Sequence, residues 1–346
     1  MKKYNIAVAG ALGLVGTTMI QILEEYDFPV NELRVLEHKS MVNAPIKFKD
    51  KIYLTQEARE EAFEGIDIAL FATNDEISKV LVPQAVARGA IAIDNSRTFR
   101  QDPNVPLVVP EVNPEDLDWN PGIVANPNCT TAACIVAYKV LQNLSPIKRI
   151  VASSYQSTSG GAVRGMMELK KQAMDGAAGF EITPPQIFAY QIAYNLIPFI
   201  DKFGDEGYTL EEWKMVNESR KMLHDDKIAI SCTCIRVPTL ICHAVSVNAE
   251  TERKVTADEF REACRKQPGL KVMDDIEKLE FPQPVQVTGG NDTHIGRIRN
   301  DVSNPNALNF FVVSDNVRKG AAQNAIQIAQ ELVKRGLVEK WQSSRK

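Results

Sequence analysis

Asn5-Ile6-Ala7-Val8-Ala9-Gly10-Ala11-Leu12-Gly13-Leu14-Val15-Gly16 decides the fold of the first half of the chain. Asn5 to Ala9 reads as a short buried strand. After the glycines, Met19, Ile20, Ile22 and Leu23 recur at helical spacing. Strand, glycine turn, helix is the arrangement that rests a pyrophosphate on a helix N-terminus. Gly10 permits the tight turn, Gly13 lets backbone approach the phosphates, and Gly16 allows close helix–strand packing. The spacing is Gly-x-x-Gly-x-x-Gly rather than the commoner Gly-x-Gly-x-x-Gly, so the motif does not decide alone. Its place directly after an N-terminal strand supports a dinucleotide site.

Working outward, Leu33-Arg34-Val35-Leu36 supplies a second strand and Ile66 to Ala72 a strongly apolar third. A helical segment, Ile77 to Arg88, precedes the strand Ala90 to Asp94. Strands alternating with helices predict a parallel, doubly wound sheet. Its ligand crevice lies beyond the strand C-termini. Asn74-Asp75, Asn95-Ser96 and Asn126 to Cys129 all fall just past strand ends, where one crevice would collect them.

Cys129 stands in Ala125-Asn126-Pro127-Asn128-Cys129-Thr130-Thr131, between the apolar run Gly122 to Ala125 and a helical pattern, Ala132 to Leu144. Asn-Pro-Asn is a turn, which puts the cysteine at or near the first turn of a helix. The positive end of the helix dipole favours a thiolate there, and the thiolate is the form that attacks carbonyl carbon. An arbitrary cysteine is more often a small buried residue; the rest of the chain favours the nucleophile.

At 346 residues the chain is long enough for two ordinary domains. Its formal charge of −4 suggests no nucleic-acid partner. The four histidines are scattered, and the six cysteines show neither a disulfide framework nor zinc-like spacing. No metal site is expected. Cys232-x-Cys234 alternates like a strand. No signal peptide and no membrane-length apolar run of roughly 18 residues is visible, so a soluble cytoplasmic protein is expected.

After Cys129 the pattern changes. Arg149 to Gln156, Ile228 to Val237, His243 to Ala249 and Asn309 to Val313 read as strands. Their alternation predicts a largely antiparallel sheet with one covered face. Glu211-Glu212-Trp213-Lys214 opens a helix running to about Leu223. Arg236 and His243 flank Val237 to Cys242, a proline-containing connection that would place both in one cleft. Val317 to Arg335 is an amphipathic helix that would pack back on the first domain.

Taken together, these segments resemble the aspartate-β-semialdehyde dehydrogenase family along nearly the whole chain. The blocks run in the family's order. They include the glycine turn, Asp94-Asn95-Ser96 with Phe99-Arg100, and Val108-Val109-Pro110-Glu111. Asn126 to Thr131, Tyr155-Gln156-Ser157 and Tyr194 to Pro198 follow. Then come Glu211-Glu212-x-Lys214, Arg236-Val237-Pro238 with His243, Gly296 to Arg299, and Arg318-Lys319-Gly320. The resemblance implies an N-terminal Rossmann-like domain, residues 1–128, completed by the C-terminal helix 317–346. An α+β catalytic and dimerisation domain would span 129–316.

It also implies the chemistry: reversible reductive dephosphorylation of aspartyl-β-phosphate on the route to lysine, threonine and methionine. Cys129 would form a thioester with the β-acyl group. His243 would be the general acid/base, and Gln156 would orient the reacting carbonyl. Arg236 would bind the substrate α-carboxylate as a planar fork. Arg100 and Lys214 would bind phosphate, with Asn128 and Glu211 lining the same site. The cofactor would be NADP, with NAD possible. It would be held by Gly10, Leu12, Gly13, Leu14, Val15, Glu37, His38, Lys39, Ser40, Asn74, Ser159, Gly160 and Asn324. A homodimer or homotetramer is expected, with no nucleic-acid or membrane partner.

The departures from the family cluster on the cofactor side. Leu12 stands where threonine is usual, and Asn74-Asp75 replaces a glycine pair. Ser159-Gly160-Gly161-Ala162 replaces Ser-Gly-Ala-Gly. Glu37-His38-Lys39-Ser40-Met41-Val42 replaces an Arg-Ser-rich loop that meets the NADP 2′-phosphate. An acid after the second strand instead suits a ribose 2′-hydroxyl. N-acetyl-γ-glutamyl-phosphate reductase shares the two-domain plan, but its cysteine usually sits in Gly-Cys-Tyr-Pro. Glyceraldehyde-3-phosphate dehydrogenase shares Cys-Thr-Thr but lacks the Arg-Val-Pro…His arrangement. A non-catalytic metabolite-binding relative is the reading from another class, and the retained catalytic residues argue against it.

Overall fold

A computed structural model describes residues 2–345. Residues 1 and 346, the outer bounds of the expected first domain, lie outside them. The chain forms two compact units. One runs to Asn128 and resumes at Ala321; the other spans Cys129–Gly320. The expected break between 316 and 317 moves to Gly320 for a local reason. Asp315 accepts the amides of Val317 and Arg318 on one carboxylate oxygen and that of Gly289 on the other. The Gly320 amide returns to the Asp315 carbonyl. Residues 315–320 are thereby tied into the second unit.

In the first unit the order is β1 (Tyr4–Ala9), α1 (Leu14–Glu25), β2 (Val30–Glu37), β3 (Pro45–Phe48), β4 (Lys51–Leu54), β5 (Gln56–Glu57), β6 (Ile68–Phe71), α2 (Asp75–Ala87), β7 (Ile91–Asp94) and β8 (Ile123–Ala125). The main sheet runs β5-β2-β1-β6-β7-β8, and each of its pairings is parallel. β3 and β4 form a separate antiparallel pair. Alternate strand residues go to opposite faces, as the pleat requires. Ile6, Val8, Val35, Leu70 and Ile93 pack on Met19 and Ile22 of α1 and on Ala325, Ile328 and Leu332 of the C-terminal helix Gln323–Lys334. Ala7, Ala9, Ala69, Phe71 and Ala92 pack on Phe63, Leu81, Val82 and Ala85. Both faces are covered, which is why these strands read as continuous apolar runs.

The second unit contains α3 (Cys129–Leu144), β9 (Ile147–Gln156), α4 (Ala162–Ala177), α5 (Leu210–Leu223), β10 (Ala229–Arg236), β11 (His243–Thr251), α6 (Ala257–Lys266), β12 (Leu270–Val272), β13 (Thr293–Asn300) and β14 (Ala307–Ser314). Its sheet runs β10-β9-β11-β14-β13-β12. The three inner pairings are antiparallel, but both edge pairings, β10–β9 and β12–β13, are parallel. The sheet is therefore mixed. The connection from β9 to β10 carries α4 and α5, and such a crossover returns a chain in its original direction. Val245, Val247 and Ala249 are buried while Ser246, Asn248 and Glu250 are half-buried, so one face is covered more deeply. Among the described residues, no helix is long and apolar enough to cross a membrane.

Candidate active site

In the first unit the sheet order reverses around β1, with β2 on one side and β6 on the other. Ligands bind at such a switch point, beyond the strand C-termini. A cavity of about 680 Å³ lies there. It is lined by Gly10, Leu12 and Gly13 after β1, Glu37 and His38 at the end of β2, and Ala72 to Asn74 after β6, with Ile77, Val80 and Leu81 supplying apolar wall. Gly10 has φ +77°, and a Cβ there would stand 2.4 Å from the Ala72 carbonyl oxygen. Only glycine fits that approach. Leu14 and Val15 open α1. The turn, the helix start and the half-apolar cavity suit a dinucleotide.

The cavity's polar wall is acidic. Glu37 and Glu76 face it, and no lysine or arginine lines it among the described residues. One Glu37 carboxylate oxygen accepts the Leu12 amide at 2.7 Å and the other accepts the His38 amide at 3.2 Å. Lys39 and Ser40 lie in a short 3-10 turn, where the Ser40 hydroxyl and amide meet His38 Nδ1. Neither lines the cavity. Asn74 caps α2 by accepting the Ile77 amide. Asn324 is buried and donates to the Val108 carbonyl and the Asn126 side chain. Arg100 is buried, and its Nη2 donates to the Asn95 carbonyl at 2.7 Å. Asn128, also buried, closes this unit's first segment.

The second unit gathers the remaining candidates. Strand register puts Arg236 beside Gln156 and Gln156 beside His243, with Ser314 next in the row. Partners in register point to one face of a sheet, here the deeply covered one. All four are buried. Cys129 opens α3, half-buried, and the next residue, Thr130, donates to Glu211. Glu211, in the first turn of α5, also accepts from the Gln156 amide at 3.2 Å. A capping box of Thr209 and Glu212 fixes that helix start. Lys214 bridges Asp201 at 2.9 Å and Glu211 at 3.0 Å. Burial pulls its ammonium down, but the two carboxylates outweigh that and leave its pKa above the lysine range.

Arg236 is held in a fixed plane. Its Nη1 donates to the Ser157 carbonyl at 2.6 Å and its guanidinium lies 5.5 Å from the Phe188 ring centroid. A Cβ on Gly160 would approach that Nη1 to 2.5 Å. Burial lowers its pKa, while the Glu211 and Cys129 charges act to raise it. His243 is fully buried, and that burial, reinforced by Arg236, pushes its pKa down to about 3. Glu211 opposes this less strongly.

Ser159 and Gly160 belong to this unit. Ser159 donates to Asn316, and Gly160 lies against Arg236. Residues the sequence reading passed over include Asn316, which also accepts the Cys242 amide at 2.9 Å, and Phe188. The signal for Asn316 was the polar pair Asp315-Asn316 directly after a strand end.

The loop departure at Ala162 has a local cost. Ala162 sits at φ 56°, ψ −160°, a region that glycine occupies readily and alanine does not. Ala162→Gly should therefore stabilise the protein by about 1 kcal/mol. Denaturant unfolding checks this; an unchanged or lower midpoint would refute the strain.

One unit holds a parallel sheet with a cavity that suits a dinucleotide, and the other holds a helix-opening cysteine together with histidine, glutamine and arginine; these are the marks of an oxidoreductase acting on an aldehyde. The likenesses agree. Residues 5–119 match the semialdehyde dehydrogenase NAD binding domain, and residues 139–319 match the semialdehyde dehydrogenase dimerisation domain. The aspartate-semialdehyde dehydrogenase of Aquifex aeolicus is 44% identical over 97% of this chain and 99% of its own length. That of Bacillus subtilis is 40% identical over 96% and 99%. The crystal structure of aspartate semialdehyde dehydrogenase II from Vibrio cholerae, complexed with ASA, superposes with a TM-score of 0.94 at 39% identity, covering 96% of this chain and 99% of that one. The chain belongs to the aspartate-semialdehyde dehydrogenase family. The reductase-like and non-catalytic alternatives are not favoured by these likenesses.

Proposed function

We propose that the protein interconverts aspartate semialdehyde and aspartyl-β-phosphate through a thioester on Cys129. The observation that carries this reading is the row Arg236, Gln156, His243 on one sheet face, linked through Glu211 to the helix start that bears the cysteine. In the oxidative direction the Cys129 thiolate attacks the aldehyde carbon. The carbonyl oxygen takes up the displaced electron pair, and His243 is the proposed group that stabilises it. Arg236 holds the α-carboxylate through its planar fork and Gln156 orients the carbonyl. Loss of hydride leaves the thioester, and a phosphate oxygen then attacks the acyl carbon as the thiolate departs. Lys214 is the proposed phosphate cation in this unit. A nicotinamide dinucleotide, held at the glycine turn after β1, would supply the hydride chemistry in either direction.

An assay of the purified protein with aspartate semialdehyde and phosphate, run in parallel with NADP and NAD, tests this reading. Absence of reduced nucleotide with both would overturn it.

For the cofactor we propose NADP with NAD also used, and a preference between them smaller than the family's or inverted. Glu37 lines the cavity, and its carboxylate, held by the Leu12 and His38 amides, is suited to accept from a ribose diol and to repel a 2′-phosphate. Glu37→Ala should move the ratio of NADPH to NADH dissociation constants toward NADPH by about tenfold, ~1.4 kcal/mol. Fluorescence titration of the reduced nucleotides measures it. Strict NADP use with no response to the substitution would refute the role of Glu37 and leave Lys39 as the phosphate ligand.

Self-association is proposed for the second unit. Val163, Met167 and Met174 of α4 expose apolar surface, as do Phe180, Tyr190 and Leu196, and this unit carries the dimerisation-domain match.

A further inference from the structure

Two nitrogens of one buried ring have different surroundings. His243 Nδ1 faces the Ser157 backbone amide at 3.2 Å and the Ser157 hydroxyl at 3.3 Å. An amide N–H only donates, so it fits an Nδ1 that carries no proton. The neutral ring then carries its proton on Nε2. Among the described residues Nε2 is buried and has no hydrogen-bond partner. It sits in the cluster that holds Arg236 and Glu211, the charged groups that act on the ring.

Asn316 maintains this arrangement from the end of β14. Its Oδ1 accepts the Cys242 amide at 2.9 Å, the Ser159 hydroxyl at 3.0 Å and the Ser157 hydroxyl at 3.2 Å. The Cys242 amide only donates, so it identifies the Asn316 atom facing it as oxygen. One side chain thus clamps the start of β11, which carries the imidazole, and the loop after β9, which carries its partner. The clamp is needed locally, because Cys242 holds φ +74° immediately before His243.

We infer that Asn316 is a positioning residue that, through Ser159 and Cys242, holds His243 with Nδ1 as acceptor and Nε2–H turned to the reacting carbonyl oxygen. This deepens the proposed function and rests on it. The imidazole then serves as a neutral donor. It stabilises the negative oxygen of the tetrahedral state by a hydrogen bond, and no imidazolium forms in the resting protein. Burial of the ring beside Arg236 agrees with a neutral imidazole at working pH.

Nitrogen-15 NMR of histidine-labelled protein tests the inference, with His243 assigned by its loss in His243→Asn. The expected wild-type signature is a bare Nδ1 and a protonated Nε2, unchanged between about pH 6 and 8. Ser157→Ala removes the hydroxyl but keeps the backbone amide, so it should keep that signature. Asn316→Ala should mix the tautomers. It should also lower kcat by about tenfold or more, with the KM for aspartate semialdehyde little changed. Asn316→Asp retains an acceptor oxygen and should recover most of the single-tautomer signal.

A protonated Nδ1 in the wild type, donating to the nearby Cys242 carbonyl, would overturn the inference. So would an Asn316→Ala variant with the wild-type signature. The tautomer is read without turnover, so a wild type inactive on aspartate semialdehyde would sink the proposed function and leave the signature to be judged separately.

Discussion

Cys129→Ala is expected to lower turnover of aspartate semialdehyde by about 10⁴-fold or more while leaving the fold and nucleotide binding intact. The reason is geometric. Cys129 opens α3 on the half-buried side of the site, and no second thiol is available to take its place. Cys134, Cys232, Cys234, Cys242 and Cys264 are buried. Burial drives each of their thiols above its ordinary pKa, to about 12 for Cys232, Cys242 and Cys264 and higher for Cys134 and Cys234. Iodoacetamide should accordingly label Cys129 first, and the label should abolish activity in step. Retained turnover in the alanine variant, with circular dichroism unchanged, would remove the thioester from the mechanism.

Arg236→Lys should weaken use of the amino-acid substrate by about 30- to 150-fold, roughly 2–3 kcal/mol for a lost charge-assisted hydrogen bond. Charge is kept in this variant; the plane is lost. Lysine cannot donate to Ser157 and stack beside Phe188 while presenting a second fork to a carboxylate. The defect should appear in kcat/KM for aspartate semialdehyde, while the KM for phosphate changes little. Lys214 substitutions should do the reverse. Gly160→Ala should reproduce part of the arginine defect, since its methyl would displace Nη1. If Arg236 and Lys214 variants impair both substrates alike, the division of labour is wrong.

Much of this was legible in the chain itself. The parallel sheet followed from apolar strands alternating with amphipathic helices, because burial on both faces writes itself into composition. The helix opening at Cys129 followed from Asn-Pro-Asn. The row of Arg236, Gln156 and His243 was only half legible. The connection between β10 and β11 suggested two of them, but strand register with β9 depends on pairing between segments far apart in sequence. The parallel edges of the second sheet were hidden for the same reason, since alternation reports a covered face and not strand direction. Glu37 was visible as an acid in the right place, yet its hold on the Leu12 amide needed the folded turn. Asn316 was marked only by the polar pair it forms with Asp315 after a strand end. Its role exists only where a strand end, a loop and a left-handed cysteine meet.

The first unit draws its core from both ends of the chain. Ala325, Ile326, Ile328, Leu332, Leu337 and Val338 pack with Ile6, Val8, Met19 and Leu23, and Tyr4 donates its hydroxyl to Glu339. During synthesis the nucleotide-binding half therefore leaves the ribosome unfinished, and it stays so until Ala325 to Val338 emerge. The second unit is continuous and complete in the nascent chain before that moment. Its fold can form during synthesis, whereas the first unit's sheet waits with one face covered by α1 but not by the C-terminal helices. Loss of the last two helices would leave the rest of that apolar face exposed for good, so premature termination near Gln323 should yield an aggregating chain and not a weakened enzyme.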